Sequence, residues 1–117
     1  MKYIFLIFSV LTIYSQNENF EKKSFIYETD TLNYRILKPL NYDSTKKYPV
    51  HLFLHGAGER GNDNESQLIH GSNLFLKENN QKKYPSFVIF PHVLKTIGGE
   101  VIMILINLIT KSKIPKH

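Results

Sequence analysis

Between residues 31 and 38 (TLNYRILK) apolar and polar positions alternate, Leu32, Tyr34 and Ile36 against Asn33, Arg35 and Lys38. Period two predicts a half-buried antiparallel strand, and a shorter strand is expected before it, over residues 24–28. Residues 39–48 (PLNYDSTKKY) are a polar turn rich in Pro, Asn, Asp and Ser, so the chain reverses there. Residues 49–54 (PVHLFL) then read as continuous rather than alternating, as expected of a strand covered on both faces. Residues 62–66 (NDNES) supply helix-start residues, and 67–77 place Leu68, Ile69, Leu74, Phe75 and Leu76 at a helical spacing interrupted by Gly71. This predicts two short helices, or one broken at the glycine. Residues 79–85 read as a polar connection, and 86–90 (SFVIF) as a second continuous apolar strand ending at Pro91. Strand, helical crossover and strand make a βαβ unit, whose strands run parallel. The predicted class is α/β, a mixed sheet of antiparallel strands followed by a βαβ unit.

Two segments depart from this pattern. Residues 1–15 (MKYIFLIFSVLTIYS) carry one positive charge at Lys2, an apolar run from Tyr3 to Tyr14 and the small Ser15. That is the layout of a secretory signal peptide, too short for a spanning helix of about 20 apolar residues. The expected location is therefore secreted, periplasmic or cell-envelope, with no stable membrane span after cleavage. Residues 101–109 (VIMILINLI) are apolar except for Asn107 and show neither helical nor alternating polarity. A buried strand is one reading of them, but no loop chemistry follows that would continue a domain.

With 117 residues, 42% hydrophobic and 13% aromatic, the chain suits one modest domain. The net charge of +5 sits at the ends, because residues 16–92 hold ten Lys/Arg against nine Asp/Glu. No basic stripe interleaves with aromatics, so no nucleic-acid partner is expected. The absence of cysteine excludes disulfides and thiolate metal sites.

The candidate chemistry lies in residues 55–61 (HGAGERG), directly after the apolar run at 49–54. A buried strand ending in a glycine-rich loop presents backbone N–H groups at the carboxyl edge of a sheet, where α/β proteins bind ligands. Such donors can hold a developing oxyanion or a phosphate. Gly56, Gly58 and Gly61 also match the dinucleotide fingerprint G-x-G-x-x-G. However, residues 62–64 make a poor apolar helix face and no acidic residue ends the next strand, so nucleotide binding is not favoured. Neither a cofactor nor a metal is expected.

The order TLNYRILKPLNYDSTKKYPVHLFLHGAGERGNDN, then SFVIFP, resembles the amino-terminal part of secreted α/β-hydrolases of the carboxylesterase and predicted-peptidase type. These are related to prolyl oligopeptidase-like and feruloyl-esterase-like enzymes, and the likeness covers residues 24–92. It implies a serine hydrolase of small-molecule esters or peptides, with a Ser-His-Asp triad and no cofactor. It further implies that the backbone N–H groups of Gly56, Ala57 and Gly58 form part of an oxyanion hole. His55 would then shape the loop through a side-chain hydrogen bond rather than act as base. Glu59 and Arg60 read as a bracing pair or a solvated turn, in preference to a substrate contact.

The nucleophile elbow G-x-S-x-G of such enzymes is missing, since none of Ser66, Ser72, Ser86 or Ser112 stands in that spacing. His70, His92 and His117 read as surface or tail residues. In the hydrolase strand order the strand at 49–54 lies between SFVIF and an absent fifth strand, which leaves an open apolar edge prone to aggregation. Relatives often continue with Pro-Gln-Cys-Pro and soon after a Trp. A supposed ancestral sequence CCA CAA TGT CCT AAA GAC AAT CGG TGG, encoding Pro-Gln-Cys-Pro-Lys-Asp-Asn-Arg-Trp, would on loss of one A from its Gln codon read Pro-His-Val-Leu-Lys-Thr-Ile-Gly-Gly, the sequence of residues 91–99. The expected organisation is a signal peptide at 1–15, the amino-terminal part of a hydrolase domain at 16–92, and an out-of-frame tail at 93–117. The alternative is a small exported, non-catalytic protein that holds an anion on the glycine loop.

Overall fold

The computed structural model describes residues 18–94 and Asn107. Four strands form one mixed sheet: β1 (Glu21–Tyr27), β2 (Asp30–Leu37), β3 (Val50–Leu52) and β4 (Phe87–His92). Their spatial order is β1-β2-β4-β3. β1 and β2 pair antiparallel from Glu21↔Ile36 to Tyr27↔Asp30, β2 runs antiparallel to β4, and β3 lies parallel to β4. Between β3 and β4 come 3₁₀ turns at Ala57–Glu59 and Ser66–Leu68, then helices α1 (Ser72–Leu76) and α2 (Glu78–Lys83). The mixed sheet and its βαβ unit are those the hydrophobic pattern predicts. Residues 1–15 lie outside the described residues, as do 101–109 apart from Asn107, which is helical.

β4 is the centre of the core, and all of its residues are buried. Alternate side chains serve opposite faces, as the pleat requires. Phe87 and Ile89 join Leu32, Ile36 and Tyr48 on one face, while Val88 and Phe90 join Phe20, Leu37 and Leu68 on the other. The second face carries α1 through Phe75 and Leu76.

β3 differs from its expected form in length and in burial. Its ladder spans Val50–Leu52 rather than 49–54, and Leu52 and Leu54 are 37% and 59% exposed. Phe87 N–H donates to Pro49 O and Phe53 N–H to Ile89 O, so the odd-numbered residues of this segment face β4. Pro49 and Pro91 have no N–H with which to carry the ladder further at either end. Among the described residues no strand flanks the outer side, and the exposure of Leu52 and Leu54 shows that the run is not covered on both faces.

Two further expectations are corrected. Arg35, read as the polar side of β2, is 4% exposed. Residues 79–85 are not simply a connection, because α2 occupies most of them. α2 buries no residue, and so leaves no apolar stripe in the sequence. It is held instead by a Glu78–Lys82 pair at 2.6 Å and by Asn80 Nδ2 and Gln81 Nε2, which donate to Leu74 O and Leu76 O at the end of α1. The break expected at Gly71 is present. Its φ of 83° suits glycine, and a Cβ there would stand 2.4 Å from the Phe53 ring.

Candidate functional site

Residues 55–61 leave β3 at the carboxyl end of the parallel pair and are tied down from two sides. His55 Nε2 accepts the N–H of Val93 at 3.0 Å, which leaves the proton on Nδ1, 2.7 Å from Gly56 O. His92, at the end of β4, accepts Asn64 N–H on Nδ1 at 3.0 Å and donates from Nε2 to Glu59 O at 2.9 Å. Gly61 N–H adds a bond to Val93 O at 3.0 Å. The two imidazoles meet edge to face, with centroids 5.7 Å apart. Val93 contributes only main-chain groups, which any residue but proline could supply, whereas His92 contributes its ring. His92 is therefore not a surface or tail residue, for it is 2% exposed and its bonds span 28 and 33 residues.

Within that clamp the chain makes the 3₁₀ turn Ala57–Glu59. Gly56 O accepts the N–H of Glu59 at 3.3 Å, and Ala57 O that of Arg60 at 3.4 Å. The N–H groups of Gly56, Ala57 and Gly58 donate to nothing among the described residues, and all three residues are exposed. A 3₁₀ turn leaves its first donors unused, and small residues keep the space before them open. A Cβ on Gly58 would meet nothing within 4 Å, whereas one on Gly56 would lie 2.9 Å from Glu59 Oε2. Glu59 folds back over the loop and faces His70 Nε2 at 3.2 Å. No ion pair joins it to Arg60 among the described residues.

A second layer holds the segment that follows. Asn64 adopts the left-handed region (φ 53°), which Asn tolerates better than most residues. Its carbonyl accepts Arg35 Nε at 2.7 Å, and its Oδ1 accepts Gln67 Nε2 at 2.5 Å. Arg35 also donates from Nη1 to Phe20 O at 2.6 Å and pairs through Nη2 with Glu65 at 2.5 Å. Asp63 accepts the N–H groups of Glu65 and Ser66 on Oδ1 and the Ser66 hydroxyl on Oδ2. These bonds, those from Ser66 foremost, hold the Asp63 carboxyl down at about 2. Neither Arg35 nor His92 is marked as a site residue by its neighbours in sequence. Asn64 carries a weak signal, as an Asn in a turn-rich stretch.

Among the described residues no group of three His, Cys, Asp or Glu side chains could hold a metal. The dinucleotide fingerprint lacks its structural context, because residues 60–65 form no helix after the glycines. A mainly apolar groove of about 350 Å³ lies elsewhere, at the amino end of the parallel strands, against Leu37, His51, Phe75, Tyr84 and Val88. None of residues 55–61 lines it.

In structure the chain is similar to a thermostable esterase, with a TM-score of 0.73 and 25% identity, over 82% of this chain and 30% of that one. The fold is the amino-terminal part of an α/β-hydrolase. It is also similar to a CE1 ferulic acid esterase from Anaeromyces mucronatus. The ferulic acid complex matches 68% of this chain and 30% of that one (TM-score 0.51, 21% identity). The substrate-free form matches 80% and 40% (TM-score 0.52, 21% identity). The chain thus spans well under half the length of these solved esterases. No family model and no curated protein matches it by sequence. Its likeness is thus one of structure, to esterases of the α/β-hydrolase fold, and no helix among the described residues is long and apolar enough to cross a membrane.

Proposed function

We propose that residues 55–61 are the electrophile-stabilising part of a serine hydrolase that cleaves carboxylic ester or peptide bonds, and that this chain alone is inactive. One observation carries the reading. The N–H groups of Gly56, Ala57 and Gly58, which donate to nothing among the described residues, sit in a turn fixed by His55 on one side and by His92 on the other. When an ester or amide carbonyl is attacked its oxygen gains charge, and donors already in place stabilise it without reorganising. Losing one such donor costs about 100 to 1,000-fold in rate. His55, whose two ring nitrogens are both committed to the main chain, acts here as a brace and not as a base.

The 117 residues hold no G-x-S-x-G, the elbow that carries the nucleophile in hydrolases of this fold. The purified chain is expected to hydrolyse p-nitrophenyl acetate no faster than a matched blank, and turnover abolished by mutating a serine of this chain would end the reading. Titration calorimetry with acetate and phosphate separates the alternative. An exported anion-binding protein would bind one of them saturably, whereas an oxyanion loop without its nucleophile and substrate pocket should bind neither. Export by way of residues 1–15 belongs to the same proposal, and amino-terminal sequencing of the secreted product tests it. Out-of-frame translation beyond Pro91 is tested by sequencing the locus: restoring one base near codon 92 must open a frame leading to G-x-S-x-G.

A further inference from the structure

His92 holds the loop through both nitrogens of a ring that is fully enclosed. Because Nδ1 accepts the N–H of Asn64 and Nε2 donates to Glu59 O, only the neutral Nε2–H tautomer satisfies both bonds. A second proton would sit on Nδ1 and face the Asn64 N–H, donor against donor. Asp63 Oδ1 stands 3.6 Å from Nδ1, beyond hydrogen-bond reach, and already accepts the N–H groups of Glu65 and Ser66. Its carboxylate is about half exposed, so its pull on a charged ring is screened. The other charged or titratable groups around the ring give it no new partner. Arg35, on β2, donates to the carbonyl of the same Asn64, adds positive charge and pairs with Glu65, which Lys22 also holds. His55, after β3, is committed to Gly56 O and Val93 N–H. The Glu59 carboxylate faces His70, and protonating His70 strengthens that pair and so works against opening.

We propose that His92 is an acid-released latch: as the neutral ring it closes residues 59–64 onto the end of β4, and once protonated it lets them go. Histidine is the side chain whose charge changes between about pH 5 and 8. The closed loop has a place for the neutral ring alone, and therefore excludes a proton that the open loop admits. By linkage, the closure that His92 supplies is complete at the alkaline end of that range and is lost as pH falls through it. Glu59 ends the same 3₁₀ turn that sets the N–H groups of Gly56, Ala57 and Gly58, so the arrangement of those donors goes with the latch. The proposed oxyanion role thereby becomes pH-gated. The latch itself rests only on the loop's own hydrogen bonds, so it is tested without turnover, and its failure leaves the hydrolase reading standing.

Hydrogen exchange of the full chain, with each amide's rate divided by that of the free peptide at the same pH, reads the latch directly. Protection at Asn64 should fall between about pH 8 and 5, by up to about tenfold per pH unit for one linked proton, while the β1–β2 hairpin keeps its own. His92→Gln offers the same two groups, Oε1 to accept from Asn64 and Nε2 to donate to Glu59, on a side chain that does not titrate. It should keep Asn64 protected across the whole range, whereas His92→Leu should leave it unprotected throughout. Nitrogen NMR of the parent's ring needs no variant. It should show the neutral Nε2–H tautomer at the alkaline end and the protonated ring at the acid end. A flat protection profile in the parent, a His92→Gln chain that loses protection in step with the parent, or a ring still neutral at about pH 5 would each overturn the proposal.

Discussion

At the β1 edge of the sheet, Lys22 and Lys23 stand in solvent, and Lys22 reaches Glu65 at 2.6 Å, the carboxylate that Arg35 holds from beneath. At the β3 edge, Leu52 and Leu54 stand in solvent, and the strand is fastened by a short parallel ladder and by aromatic rings. Phe53 stacks on Phe90 at 4.8 Å and meets Phe75 edge-on at 6.0 Å. The first edge is finished, with charges that both brace the fold and repel another strand. The second has the composition of an interior strand, with no neighbour on its outer side among the described residues. Hydrophobic pattern records what a strand is suited to pack against, and strand order determines whether that partner is present.

The largest expected effect is at the charged side. Arg35→Leu leaves the buried carbonyls of Phe20 and Asn64 without their donor and Glu65 with Lys22 alone, and the loss of those two charged hydrogen bonds costs about 3 kcal/mol. Urea unfolding should register that loss. Hydrogen exchange should quicken at Asn64 and Gly61 before it does at Phe53, which would show that the charged network and the ring stack are separate supports.

Gly71→Ala attacks the other side. A methyl 2.4 Å from the Phe53 ring, on a backbone at φ 83°, should cost about 1–3 kcal/mol. The expected signature is faster exchange at Phe53 and Phe87 N–H with the β1–β2 hairpin unchanged. A uniform loss across both edges would show that they are not independent.

Acid should loosen the charged side, and only modestly, because Asp63 is about half exposed. Its carboxyl lies at about 2 in the fold, against 3.8 for the free group. A carboxyl lowered by folding contributes stability that is complete above the unfolded value and is lost as pH falls through the folded one. The loss should therefore run from about pH 4 down to about 2, and Asp63→Asn should remove that part of the pH dependence in acid-unfolding curves.

The smallest effect on stability is expected from replacing Lys22 and Lys23 by Thr. Exposed pairs such as Lys22–Glu65 contribute about 0–1 kcal/mol. The change should nevertheless unblock the β1 edge, so that light scattering detects more association than in the parent chain.

The amino-acid pattern by itself determined the strands, their class and the position of the glycine loop, because period-two alternation and continuous apolar runs are local consequences of the pleat. It also determined the break at Gly71. It could not reveal α2, which buries no face, nor the burial of Arg35, whose partners lie 15 and 29 residues away. His92 was equally illegible, because what distinguishes it from a surface histidine is the loop 28 to 33 residues earlier that closes over it. Tertiary structure alone decided that β2 lies beside β4, and that the N–H groups of residues 56–58, which donate to nothing among the described residues, are held in a fixed turn. Each of these depends on which distant groups satisfy one another's hydrogen bonds, and that information is absent from the spacing of residues along the chain.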